Sequence, residues 1–215
     1  MKVKLVSYTQ VDPNNDLICD SEALIAFCAR VSNKSNQENW KTAPQLIRWL
    51  VEHDHWSPLE MVNVCMEITT TRAISAQIMR HRSFSFQELS QRYTKPSIDY
   101  PDLRIKGSNN RQGSLNTKAS GKLHKVSQVS IDAGWEAYNH LVENGVALES
   151  ARMVLPMCTE TTIYMNGTLR SWIHYTRIRE EIHTQKEHRD IANGCSDILK
   201  ELYPNVMKVI YSGSL

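Results

Sequence analysis

Residues 62–93 read "VNVCMEITTTRAISAQIMRHRSFSFQELSQRY" and join two patterns in one continuous run. Val62, Val64, Met66 and Ile68 alternate with Asn63, Cys65 and Glu67, the two-residue period of a strand with one buried face. Thr69, Thr70 and Thr71 follow as residues able to cap a helix, predicted over about residues 72–81. On it Gln77, Arg80 and His81 fall at i, i+3 and i+4, so they would share one face near its C-terminal end. From Arg80 to Tyr93, three arginines, a histidine and three serines are interleaved with Phe84 and Phe86. Such a cluster is either a solvated charged face or a site for an anion, and the surrounding chain has to decide.

Upstream, residues 2–8 alternate as a strand, with Val3 and Leu5 on one face. Asp20 or Ser21 can cap a helix running to about Arg30, and a second helix is expected from Pro44 to Glu52, with its proline in the tolerated first turn. "HDHWSPLEM" breaks that helix. Downstream, Thr94 to Lys122 turns to Pro, Gly, Ser, Asn and Lys and reads as a loop insertion carrying Arg104 and Arg111: a lid, a binding loop or disorder. A helix with Leu123, Val126, Tyr138, Leu141 and Val142 follows, stopped by Asn144-Gly145. A short helical stretch carries Arg152 and ends at Pro156; "TTIYM" reads as a strand, Asn166-Gly167 as a turn and 168–180 as a helix. His188, Ile191, Ala192, Cys195, Ile198, Leu199 and Leu202 form the stripe of a last long helix. With no internal repeat and no regular βαβ alternation, the expected fold is α+β in a single domain over 1–215.

The chain's 215 residues suffice for a real core, and 41% hydrophobic with 22% charged residues is ordinary for a globular protein. A net charge of +2 excludes a general polyanion binder, so a positive site must come from local clustering. The N-terminal apolar run is too short for a signal peptide and no span approaches transmembrane length, so no membrane is expected. Five scattered cysteines without a CxxC read as reduced thiols of a cytoplasmic protein. The eight glycines form neither a dinucleotide fingerprint nor a P-loop, which leaves side chains to hold any phosphate. Arg80, Arg82, Arg92, Arg152, Arg177 and Arg179 can grip one through two parallel bonds each. His53, His55, Glu60 and His81 lack zinc spacing, and no metal is expected. Cys158 reads as a small core residue rather than a nucleophile, Ser90 as a phosphate ligand, and Trp49, Trp56, Met66, Met79 and Trp172 as core. The reading from another class is a non-enzymatic module binding RNA or another anion through residues 80–93, disfavoured by the near-neutral charge.

Arg80, His81, Arg82, Ser85, Ser90, Arg92 and Tyr93 resemble the signature of the flavin-dependent thymidylate synthases, with Gln87 where asparagine is usual. "HWSPLE" resembles the family's upstream element at His55, Ser57 and Glu60, with Met61 where a histidine often stands. "ESARMVLP" resembles its Ala-Arg-x-x-Leu-Pro segment at Arg152, and "RSWIHYTRIR" resembles the helix ending in its active-site arginine, at Arg179 with Arg177 as rival.

The resemblance implies an α+β subunit with a mixed or antiparallel sheet packed by helices, assembling as a homotetramer with shared active sites and binding no nucleic acid. It implies conversion of dUMP to dTMP, with a methylene from 5,10-methylenetetrahydrofolate and a hydride from FAD reduced by NADPH. FAD would be held by His55, Ser57, Arg80, His81, Arg82, Glu88, Thr168, Leu169, Arg170 and His174, the last where asparagine is often found. Around dUMP would stand Gln77, Arg80, Glu88, Leu89, Ser90, Gln91, Arg92, Arg152 and Arg179. Arg179 would be catalytic, favouring the electron-rich uracil from its N3/O2 edge.

Overall fold

The computed structural model describes residues 1–107 and 113–212. Its elements begin with β1 (Lys2–Tyr8), α1 (Ser21–Ala29), α2 (Ala43–Glu52), β2 (Asn63–Thr71), α3 (Arg72–Ile78) and β3 (Ser85–Glu88). A small pair, β4 (Arg104–Lys106) and β5 (Ser114–Lys118), precedes the long α4 (Gly121–Glu143) and the short α5 (Leu148–Ala151). The chain closes with β6 (Glu160–Thr168), α6 (Leu169–Arg179), α7 (Lys186–Leu202) and α8 (Pro204–Tyr211). The main sheet has the order β1-β2-β6-β3, each neighbouring pair antiparallel. This is the expected α+β class, with helices packed on an antiparallel sheet. No described helix is long and apolar enough to cross a membrane.

The alternation in residues 62–71 does what its period dictates. Val64, Met66 and Ile68 are fully buried, and across the register Met66 and Ile68 face Met165 and Ile163 of β6, buried as well. The buried face packs on α6 and α7 through Trp172, Ile173, Ile191 and Leu199. Trp172 also donates from Nε1 to the Val64 carbonyl at 3.0 Å, so the helix is bonded to the sheet as well as packed on it. On the other face Lys4, Glu67 and Tyr164 form a cross-strand row, with Glu67 accepting from the Tyr164 hydroxyl at 2.9 Å and pairing with Lys4 at 3.4 Å.

Several sequence expectations are corrected. Asn166-Gly167 is not a turn: β6 continues to Thr168, paired along its whole length with β2, and nine residues of ladder override the local turn preference. Gly167 is needed there for another reason, because a Cβ would lie 2.5 Å from Cδ1 of the Phe84 ring. The helix after β2 ends at Ile78, so Arg80 and His81 sit in the turn beyond it and do not share a helical face with Gln77. Residues 85–88 leave that turn as an edge strand on β6. The 94–122 stretch contains the β4–β5 pair and the start of α4, since strands of three and five residues are invisible in its averaged composition. Arg111 lies outside the described residues. Trp49 is 45% exposed and stacks on His53 instead of entering the core. α8 was not anticipated; Glu22 of α1 accepts from Asn205 Nδ2 at 2.6 Å and from the Val206 amide at 2.9 Å, capping it from a distant element.

Gly167→Ala is expected to lower the unfolding free energy by about 1–3 kcal/mol, the usual cost of overpacking. Combining it with Phe84→Ala should cost less than the two single losses added. Urea denaturation of the four proteins checks this, and strict additivity would show that the Phe84 ring is not what the glycine accommodates.

Candidate active site

The end of α6 and the turn after α3 meet at one contact. Arg179 donates from Nε to Nε2 of His81 at 2.9 Å. The acceptor nitrogen must be unprotonated, so His81 carries its proton on Nδ1 and is neutral. Its surroundings enforce this: burial, then the Arg179 charge and His174, push its pKa from 6.5 down to about 4. The ring stands edge-on both to Tyr175 at 5.0 Å and to His188 of α7 at 6.4 Å. His188 is fully buried, and burial followed by Arg179 and His81 lowers its pKa to about 3. One fixed charge is thus set among neutral rings. Neither Nη of Arg179 has a side-chain or backbone acceptor among the described residues, where its Nε bond is the one hydrogen bond recorded.

Gln77 joins this group. Its Nε2 donates to Gln185 Oε1 at 2.8 Å, and its Oε1 lies 3.4 Å from His188 Nδ1. Glu88 is tied down beside it, bound to Arg72 at 2.5 Å and accepting from Ser75 at 2.7 Å and Thr161 at 3.1 Å. Those three contacts tie β3 to α3 and β6 and leave about one of a carboxylate's roughly four acceptor positions open.

The other expected residues fall into two further groups. Arg92 lies over the Tyr93 ring at 5.3 Å and lines a small hollow with Ala147, Leu148 and Glu149, while Arg152 donates to the Glu149 carbonyl at 3.3 Å. Ser90 caps the Arg92 amide at 3.4 Å, Leu89 is part-exposed, and Gln91 is buried with Nε2 lacking a partner. The third group lines an open cavity of about 720 Å³ that includes Glu60, Ser83, Arg170, His174 and Arg177. Arg170 is ion-paired with Glu60, and Ser57 and His55 line the adjoining hollow that Arg170 also borders. Arg80 and Arg82 are exposed and enter none of the ion pairs among the described residues. Thr168 caps α6 by accepting from the Ser171 amide at 3.2 Å, and the Leu169 side chain is wholly in the core. No side-chain hydrogen bond or ion pair among the described residues links the three groups. Nor do any three described His, Cys, Asp or Glu side chains cluster to hold a metal ion.

Arg72, Gln185 and Tyr175 were missed in the sequence, and His188 was read only as part of an apolar stripe. A histidine on a stripe otherwise built of Ile, Ala, Cys and Leu was the available signal. Cys158 is half-buried and burial raises its pKa, which keeps the thiol protonated.

The α+β chain thus has no glycine phosphate loop, exposed arginines lining an open cavity, and another arginine held among neutral rings, side chains of the kind that can pair with anionic groups. The profile of the family described as thymidylate synthase complementing protein matches residues 5–205. The chain is 42% identical to a probable flavin-dependent thymidylate synthase of Paramecium bursaria Chlorella virus 1, covering 98% of this chain and 99% of that one. It is 40% identical to the flavin-dependent thymidylate synthase of a Synechocystis species, over 96% and 97% of the two chains. The crystal structure of a UMP/dUMP methylase, PolB, from Streptomyces cacaoi bound with 5-Br dUMP shares the fold, with a TM-score of 0.82 at 24% identity over 100% of this chain and 96% of that one. The chain belongs to the flavin-dependent thymidylate synthase family.

The two lowered histidines predict a pH effect of definite sign. Both are neutral when folded and regain the ordinary value near 6.5 when unfolded, so the unfolded state binds more protons below that pH. Their stabilising contribution is complete above 6.5 and is lost as pH falls toward about 3 to 4. Urea denaturation should show stability falling from about pH 7 to pH 5, with a shallower fall in His188→Gln. Equal slopes would remove His188 as a source of the effect.

Proposed function

We infer that the chain converts dUMP to dTMP, taking the methylene of 5,10-methylenetetrahydrofolate and using FAD reduced by NADPH. Family membership over nearly the whole chain supports the activity. The observation carrying the site assignment is Arg179: Nε is committed to His81 while the flat Nη edge is left for a ligand. A planar cation with two parallel donors suits the N3/O2 edge of a uracil. There it favours the ring form with high electron density at C5, the carbon that must accept the methylene. Because His81 is neutral, the charge on Arg179 is neither doubled nor cancelled by its holder. Arg177, the rival, is exposed and lines the open cavity instead.

The residues present fit FAD. Arg80 and Arg82 offer unpaired guanidinium groups to its two phosphates, and Ser83, Arg170 and His174 border a cavity of about 720 Å³ beside them. When bound, FAD supplies the hydride that reduces the transferred carbon to a methyl group. The chain's part is to hold the anionic ends, to orient the uracil through Gln77 and Arg179, and to keep charge fixed where it develops. The dUMP phosphate is assigned to Ser90, Arg92 and Arg152. A thiol nucleophile is not required.

We further propose a homotetramer with shared sites. The Arg92–Arg152 group is unconnected to Arg179 within one chain, as expected if each subunit completes a neighbour's site. Of the 23 residues of α4, Ile131 and Tyr138 are buried, whereas Leu123, Val126 and Val129 are 51%, 60% and 61% exposed. An apolar stripe of this kind suits burial against another copy.

Two outcomes are expected. Arg179→Ala should stay yellow and assembled yet lose about two to three orders of magnitude in dTMP formation at saturating dUMP, the usual loss for one charge-directed contact. Arg179→Lys should recover only part of that, having charge without the planar fork. Near-normal turnover would move the assignment to Arg177. Val126→Asp should sediment as a species smaller than the tetramer and bind flavin weakly, and an intact tetramer with full flavin content would rule α4 out of the interface.

A further inference from the structure

We propose that Arg104 and Glu187 are positioning residues for the nucleotide, acting through Gln185 on the amide of Gln77. The proposal rests on the preceding functional reading, which sets Gln77 against the uracil of dUMP.

Arg104 opens β4, in the stretch whose composition reads as a loop insertion. Its guanidinium nevertheless meets Glu187, in the first turn of α7, through two parallel contacts, Nη1 to Oε1 at 2.5 Å and Nη2 to Oε2 at 2.8 Å. The side chains are 10% and 20% exposed, against 63% and 29% for the helix-surface pair Arg48–Glu52. Nε donates to Ser114 of β5 at 3.0 Å and Nη1 to the Asp102 carbonyl at 3.2 Å, so the hairpin fixes the arginine before it meets α7. A surface pair of long side chains contributes little, whereas a shielded bidentate pair whose loss strands a charge is a strong local constraint. Burial pushes the Glu187 carboxyl up, but the bonds from Arg104, from its own backbone amide and from Gln185, with the Arg104 charge, together leave the group below the ordinary value, ionised at neutral pH.

The same carboxylate reaches toward the site. Its Oε2 accepts from Gln185 Nε2 at 3.0 Å, and Gln185 Oε1 accepts from Gln77 Nε2 at 2.8 Å. The far end of the Gln77 amide lies 3.4 Å from His188 Nδ1, whose neutral ring can donate there. Each step has a donor facing an acceptor, so the ionised Glu187 fixes which way Gln185 points, and Gln185 with His188 fixes which way Gln77 points. Reversing the Gln77 amide would set oxygen against oxygen at one end and N–H against N–H at the other. An amide that must present one edge to a base gains from being oriented before binding. If Arg104 merely fastened the hairpin, nothing would require its partner to face Gln185 as well.

The test is calorimetric titration of the FAD-loaded enzyme with dUMP, with thermal midpoint and flavin content as controls. Arg104→Ala and Glu187→Gln should each raise the dUMP dissociation constant about tenfold, as for one coupled contact. Turnover at saturating dUMP should stay within about twofold, the mark of lost uniform binding. Arg104→Lys should fall between wild type and Arg104→Ala, and it also serves as the milder variant if Arg104→Ala fails to fold. Joining Arg104→Ala to Gln77→Ala should weaken dUMP no further than Gln77→Ala alone. An unchanged dUMP constant with a lowered thermal midpoint would overturn the proposal in favour of mere fastening. So would effects that multiply in the double variant. If the wild-type enzyme itself fails to bind dUMP, the functional reading fails first and this one with it.

Discussion

An arginine can donate to an imidazole only while that imidazole is neutral, and the Arg179–His81 contact at 2.9 Å depends on this. A protonated His81 would set two cations against each other and turn the guanidinium away. Burial of the His81 ring against Tyr175, under α7 and its buried His188, keeps the proton off. The arrangement therefore requires α6, α7 and the turn after α3 to converge, and the core is organised to bring them together.

That convergence follows from the nine-residue pairing of β2 with β6. Each of these strands runs directly into a helix, β2 into α3 and β6 into α6, and their antiparallel register sends the two helices off from opposite ends of the sheet. β3 returns to pair with β6, fixing Phe84 near the start of α6, where it seats its ring against Gly167 and Trp172, while His81 at the other end of the turn reaches the end of α6. Glu88, held by Arg72, Ser75 and Thr161, locks that return path to α3 and to β6. A sequence that placed the same arginines on a different sheet order would have a cationic surface without a site.

Much of this was legible in the chain, for identifiable reasons. The alternation of β2 and the stripe of α7 are periodic and long, so their buried faces could be read directly. The arginine-rich signature pointed to the family through the order and spacing of its residues, and the family match over residues 5–205 agrees. What escaped depended on contacts between residues far apart in sequence. Asn166-Gly167 carries turn chemistry, yet the ladder with β2 and the nearby Phe84 ring decide its conformation. The helix through Arg80 stopped short at Ile78, which places His81 where Arg179, 98 residues later, can reach it. Arg104 and Glu187 are 83 residues apart and Gln77 and Gln185 are 108 apart, so no local pattern could announce those bonds. The spread of the expected ligand residues over three groups, joined by no side-chain hydrogen bond or ion pair among the described residues, is likewise invisible until the chain is folded.

The neutral state of His81 is the point on which the account turns, and nitrogen-15 NMR of the histidine rings tests it most directly, with His81→Gln to assign the signal. At neutral pH the His81 ring should carry one proton, on Nδ1, and gain a second only near pH 4. A ring doubly protonated at neutral pH, or bearing its single proton on Nε2, would contradict it.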